Sequence, residues 1–172
     1  GLIFNEFLTW SEHVTSQSKK AYLILLNLNR FRDDFTPMCK FRLVQSVIWP
    51  LFDYCDTVYG PGLQKKLAYK IQLVQNSTIR YVFHIKKRDH ILPVLNNHNI
   101  LTMFHRRHLH YLCFINKILT KKKPDYLFSK LIERNKIHPH STRSHSKLDT
   151  PHHKTNARRS SFSLSAPYVW NA

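Results

Sequence analysis

Acidic residues are scarce in this chain. It holds 10 Asp+Glu against 27 Lys+Arg, a formal net charge of +17 and a pI near 10.1. A carboxylate-dependent reaction therefore has few groups to draw on, and no motif gathers them. Cysteine is scarce as well. Cys39, Cys55 and Cys113 lie far apart and form no CxxC pair. That excludes a zinc finger or knuckle and argues against a disulfide scaffold, the pattern of an intracellular chain. No apolar run approaches the roughly 18 residues that cross a bilayer, and no signal peptide is visible. The first residues, Gly1 to Phe4, open inside an apolar run, which reads as a piece of a longer chain.

What remains is enough to fold. Hydrophobic residues make up 42% and aromatics 13%, sufficient for a real core. The charge then needs a polyanion to relieve its self-repulsion. Nucleic acid is the first expectation. An anionic membrane surface comes second, because no segment pairs a basic face with a clean apolar one.

Along the chain, Gly1 to Phe4 reads as the end of a strand. Thr9 and Glu12 have capping-box spacing for a helix whose inner face is Val14, Ala21, Leu25 and Leu28. Asp33-Asp34 ends it. Thr36-Pro37 starts a second helix, a cap followed by proline at the first helical position, with Phe41, Val44, Val47 and Ile48 on its apolar face. Pro50 must kink or end that helix. Leu51 to Tyr59 reads as a short aromatic helix or turn, and Gly60-Pro61-Gly62 as a turn. Leu63, Leu67, Ile71, Val74 and Thr78 then carry a long helical period, with Lys65, Lys66 and Lys70 on its other side. The amides of Gln72, Gln75 and Asn76 are expected to bridge helices rather than touch a nucleic-acid backbone. Asp89 reads as the cap of a short helix through Leu95. Thr102 reads as the cap of a helix with Leu109, Leu112 and Leu119 inside, ended by Lys121 to Pro124. From about Lys136 the composition shifts to Ser, Thr, Arg, Lys and His138, His140, His145, His152 and His153. This reads as a flexible basic tail, ordered again between Ser161 and Trp170. The histidines match no zinc signature, and no metal site is assigned.

The segments Leu2-Ile3-Phe4, Leu8-Thr9-Trp10 and His13 begin an ordered series. Pro50, Tyr54-Cys55 and Val58-Tyr59-Gly60 continue it, then Leu67, Ile71-Gln72, Gln75-Asn76 and Ile79-Arg80. Arg106-Arg107, Pro124 to Leu127, Thr142-Arg143, Ser161-Phe162, Ala166-Pro167 and Trp170-Asn171 complete it. The series resembles the thumb and C-terminal region of the reverse transcriptase of non-LTR (LINE-type, jockey-like) retrotransposons. The family's catalytic Tyr-x-Asp-Asp box is absent, as are its other palm aspartate, the fingers and the endonuclease.

The resemblance implies an all-α helical bundle, thumb-like, with a short N-terminal strand and a largely irregular basic C-terminal tail. Residues 1–8 would end a palm strand, 9–135 would form the helical thumb and post-polymerase region, and 136–172 the His-rich tail. It implies an RNA-directed DNA polymerase as parent, whose Mg²⁺ belongs to the missing palm. This piece would hold RNA, RNA–DNA hybrid or DNA through phosphates, beside the palm and fingers of the same polyprotein, inside the cell and in the nucleus. No catalytic residue and no cofactor is assigned to it. The candidate phosphate contacts are Lys19, Lys20, Lys40, Arg42, Lys65, Lys66, Lys70, Arg80, Lys86, Lys87, Arg88, Arg106 and Arg107, about half of which are expected only to keep the bundle soluble. Such contacts position a duplex without reading its sequence. Two other readings stand: a stand-alone basic binding protein or non-functional retroelement remnant, and a metal-dependent nuclease built on Asp53, Asp56 and His84 or His90.

Overall fold

The computed structural model describes residues 1–7, 9–137, 143 and 145–172. Leu8, His138, His140 and Thr142, which entered the sequence reading, lie outside the described residues. The fold is all-α. Its helices are α1 (Ser11–Asn29), α2 (Pro37–Leu43), α3 (Pro50–Asp53), α4 (Asp56–Tyr59), α5 (Lys65–Phe83), α6 (Leu92–Asn97), α7 (Met103–Lys121), α8 (Asp125–Phe128), α9 (Asn156–Arg159) and α10 (Phe162–Trp170). Among the described residues the only extended pairing is an isolated antiparallel bridge between Glu133 and Leu148. No helix among them is long and apolar enough to cross a membrane. The chain divides into two compact units, residues 1–59 with 63–107, and residues 60–62 with 108–172.

In the first unit, α1 and α5 run parallel. Lys70 Nζ donates to Thr15 Oγ1 at 3.0 Å near their starts, and the Tyr81 hydroxyl donates to the Leu28 carbonyl at 3.2 Å near their ends. Helical spacing puts Val14, Ser18 and Ala21 on the inner face of α1 and Leu67, Ile71, Val74, Thr78 and Val82 on that of α5. Each fully buried aliphatic side chain there contributes about 1.5–3 kcal/mol.

The next segment is shaped by Pro50. Thr36 caps α2, its Oγ1 accepting from the Cys39 N–H at 3.4 Å, with Pro37 in the first turn. Pro50 has no N–H to continue the ladder. Just before it the helix widens: residues Val44–Ile48 form a π turn, and the Trp49 N–H reaches back five residues to the Val44 carbonyl at 3.1 Å. The widened turn keeps Ile48, Trp49 and Phe52 in the core. The Trp49 indole N–H then meets Thr78 Oγ1 at 3.4 Å.

A buried amide ties α5 to the start of α7. Gln75 is fully enclosed, donates Nε2 to the Leu101 carbonyl at 2.8 Å and accepts the Met103 N–H at 3.1 Å. Gln72 Oε1 accepts the same N–H at 3.0 Å. The bridging role expected of these amides is present for Gln72 and Gln75, while among the described residues Asn76 bonds only to Gln72 of the same helix.

Several local expectations fail for identifiable reasons. Residues 1–4 form no strand, since no strand partner stands among the described residues, and the Ile3 N–H turns to His13 Nδ1 at 3.5 Å. The Thr9–Glu12 capping box does not form. Thr9 instead exchanges hydrogen bonds with the Asn5 side chain at 2.6 and 2.9 Å, and α1 begins after Trp10 in the left-handed conformation, φ 60°. Asp89 caps nothing: its carboxylate forms no hydrogen bond among the described residues, and α6 starts after Ile91.

In the second unit the buried positions of α7 are Tyr111, Ile115 and Ile118, and Leu109 faces outward, 47% exposed. Of the expected face, Leu109 is turned outward, Leu112 is half-buried, and Leu119 is half-buried and packs against the same core. Tyr111, Ile115 and Ile118 gather Leu131, Leu148 and Ala166 around them. The tail returns to this core. The Asn171 side chain accepts the Leu148 N–H at 3.0 Å and donates to the Leu148 carbonyl at 2.8 Å, acting as a one-residue strand partner. The Tyr111 hydroxyl and Ser165 Oγ lie 2.7 Å apart in the interior. Within α10 it is Leu164, Ala166 and Pro167 that are buried, while Tyr168 and Trp170 remain exposed.

Candidate nucleic-acid interface

The parallel pairing of α1 and α5 gathers some of the candidate cations. Lys66 and Lys70 are one turn apart on α5, and Lys70 reaches Thr15. Lys19 lies one turn beyond Thr15 on the same flank of α1. Lys19, Lys65 and Lys66 are exposed, and none forms a side-chain hydrogen bond or ion pair among the described residues. Lys70 is half-buried and held by Thr15, not fully exposed as its spacing suggested. Lys20 falls on the opposite flank of α1, on the side of His13. Arg42, Lys86, Lys87 and Arg88 are also exposed, on α2 and on the 84–91 loop.

The other candidates are engaged inside the fold. Lys40 is 1% exposed. Its Nζ donates to His84 Nε2 at 2.6 Å and lies 5.7 Å from the centre of the Tyr81 ring. An ammonium has only donors, so Nε2 accepts and the ring proton sits on Nδ1. His84 is at the left-handed end of α5, φ 53°, and from there the loop folds back. Arg80 pins that loop through the carbonyls of Lys86 and Asp89. Arg106 grips Asp53 with Nε and Nη2 at 2.7 and 2.6 Å and lies over the Trp49 ring at 5.4 Å. The hydrogen bond to Asp53 raises the Arg106 pKa against the opposing effect of burial. Arg107 is buried, and burial lowers its pKa against the pull of Tyr59, Asp56 and Asp53. Its Nη1 has no hydrogen-bond partner. The enclosed Tyr59 hydroxyl donates to the Phe52 carbonyl, and burial pushes its pKa up.

This geometry bears on the nuclease residues directly. Both Asp53 oxygens are occupied by Arg106, and His84 accepts from Lys40. His90 is exposed and lines a separate open groove of about 440 Å³ between the later half of α5, the loop after it and α6.

Two groups of residues escaped the sequence reading. Tyr69 is 64% exposed, one turn from Lys65 and Lys66 and off the Leu67–Ile71–Val74 face. A helical projection of α5 would have separated it from the core aromatics. The second group is the cations of residues 108–135, which precede the basic tail already legible from Lys136; residues 108–172 together hold twelve Lys+Arg against three Asp+Glu, compared with fifteen against seven in residues 1–107. Lys121, Lys122 and Lys123 are exposed at the end of α7. Their density was legible, but it read as a helix terminator.

No protein-family model, no curated protein and no solved structure matches the chain.

Proposed function

We propose that this chain is a non-catalytic nucleic-acid-binding module that holds a duplex or RNA–DNA hybrid through its phosphates. The observation that carries this reading is the set of exposed cations on the parallel helices α1 and α5. Lys19, Lys65 and Lys66 are exposed without partners among the described residues, and Lys70 sits at the contact of the two helices, on Thr15. An excess of this size repels itself unless a polyanion lies against it. The ordered resemblance to the thumb and C-terminal region of a non-LTR retrotransposon reverse transcriptase supports a parent RNA-directed DNA polymerase. In that parent, the palm and fingers would do the Mg²⁺-dependent chemistry while this module positions template and primer. The chain contains no Tyr-x-Asp-Asp box, which fits a positioning role.

A salt titration tests it. Binding to a duplex should be independent of sequence and weaken linearly on a log–log plot against salt. Lys65→Gln with Lys66→Gln should lower the slope by about 1.8, since each lost phosphate contact removes about 0.9. Lys40→Gln, whose ammonium is enclosed, should leave the slope unchanged. Salt-independent, sequence-selective binding would refute the proposal.

A further inference from the structure

The groove beside α5 has the composition of a small-ligand site rather than of a phosphate track. Its volume of about 440 Å³ falls in the range of about 300–1,000 Å³ in which compact ligands are held. One wall is apolar: Leu95 is buried, and Leu92 stands 64% exposed at the rim. The opposite wall is polar. Asn76 Oδ1 accepts from Gln72 Nε2 at 2.9 Å, and its Nδ2 has no partner among the described residues. Asp89 uses its backbone carbonyl to hold Arg80, and its carboxylate forms no hydrogen bond or ion pair there. Arg88 is exposed, its guanidinium likewise without a partner among the described residues. Arg80 fixes the loop that carries both, through the carbonyls of Lys86 and Asp89.

The position of the groove adds a second argument. Lys65, Tyr69, Gln72, Asn76 and Arg80 follow at intervals of four, three, four and four on α5. That spacing makes one stripe about 22 Å long. It starts at an exposed cation and an exposed aromatic ring and runs into the groove. A strand laid along the stripe would be delivered to the groove.

We propose that the groove between α5, the 84–91 loop and α6 takes one unpaired nucleotide of a bound strand. The apolar wall at Leu92 and Leu95 covers the face of the base. The Asn76 amide donates to the base edge, and the Asp89 carboxylate accepts from an exocyclic amine. Arg88 meets the adjoining phosphate. Apolar cover with a donor, an acceptor and a cation at its margin matches a nucleotide part for part, and neither a bare phosphate nor an apolar peptide side chain would use all four. The inference rests on the proposed nucleic-acid binding and narrows it to a particular end of α5.

The test compares two ligands of equal charge by fluorescence anisotropy on the full chain: a hybrid with a short unpaired adenosine extension, and the same hybrid with an abasic extension. The wild-type chain should prefer the base-bearing ligand about tenfold, which is about 1.4 kcal/mol of added apolar and hydrogen-bond contact. Leu92→Gln, at an exposed position and with no change of charge, should reduce the preference to within about twofold and leave affinity for the abasic ligand unaltered. Tyr69→Leu should keep the preference. Equal binding of the two ligands by the wild-type chain would overturn the groove and leave the wider binding proposal standing. A preference lost in Tyr69→Leu but kept in Leu92→Gln would place the base on Tyr69 and overturn the groove as well. Binding to neither ligand would overturn both proposals.

Discussion

Asp53→Ala should destabilise the first unit by about 2 kcal/mol, a figure set by the environment of its partner. The Asp53 and Arg106 side chains are 20% and 29% exposed, so the pair is neither a surface bridge nor a sealed one. Exposed bridges contribute about 0–1 kcal/mol, and breaking a fully buried one costs about 3–5 kcal/mol. Two charge-assisted bonds, at 2.6 and 2.7 Å, are lost together. The stranded guanidinium keeps the Trp49 ring at 5.4 Å and some water, which limits the loss. Urea unfolding followed by circular dichroism and tryptophan fluorescence would measure it, with an unchanged m-value as the check on two-state behaviour. Arg106→Met should cost less, because Asp53 is then free to take up water. The double variant should fall short of the sum by about 1.5 kcal/mol, the coupling of groups in contact. If Asp53→Ala lies within about 0.5 kcal/mol of wild type, or if the two singles add, the carboxylate is not a structural partner of Arg106. The same variant separates structure from chemistry. A metal-ligating Asp53 would lose Mg²⁺-dependent cleavage at unchanged stability, the reverse of the pattern expected here.

Gln75→Leu should cost about 2 kcal/mol, because the Leu101 carbonyl loses its partner and the Met103 N–H keeps only Gln72. Faster hydrogen exchange at the Met103 amide would locate the loss, and unchanged exchange there would refute it. His13 gives a pH dependence. Burial, with the N-terminal ammonium and Lys20, holds its pKa below the ordinary 6.5. The unfolded chain therefore binds the proton more readily, and stability should be constant above about pH 7 and fall as the pH drops below 6.5. His13→Phe, which also removes the unpartnered Nε2, should flatten that part of the stability profile. A profile with the same slope in the variant would assign the effect to other groups.

Periodicity made the helices legible where one face alone decides burial. Leu67, Ile71, Val74 and Thr78 repeat at helical spacing and all are buried. Thr36-Pro37 also behaved as its chemistry dictates. The reading failed where a tertiary partner outbid a local signal. Thr9 could cap α1, but the Asn5 amide satisfies it twice over. On α7 Leu109 fits the apolar period as well as Tyr111, Ile115 and Ile118 do, and the packing of Leu131, Leu148 and Ala166 leaves it outside. The site followed the same division. Lys65 and Lys66 are exposed as their spacing implies. Nothing in the sequence near Lys40 announces His84, 44 residues away, which draws its ammonium into the fold.

The fate of Lys40 and of the two neighbouring arginines also bears on why the exposed lysines are left without acids. A buried cation is tolerated only with acceptors or a π face arranged around it. The chain meets that condition with His84 and Tyr81 for Lys40, and with Asp53 and Trp49 for Arg106. Arg107 is held less completely, with one nitrogen unpartnered. With only seven acids in residues 1–107, and Asp53 and Asp56 both drawn into this region, little negative charge remains for α1 and α5. Lys65 and Lys66 are adjacent and unneutralised, and repulsion between them opposes helix formation at the very start of α5, where the helix dipole already disfavours positive charge. The sequence offers no glutamate or aspartate within α5 to relieve it. A phosphate backbone lying along α5 would relieve both penalties at once, and any ligand that binds the folded chain alone stabilises it by mass action. The arrangement that makes this surface unfavourable in isolation is therefore the one through which the proposed polyanion would be coupled to folding.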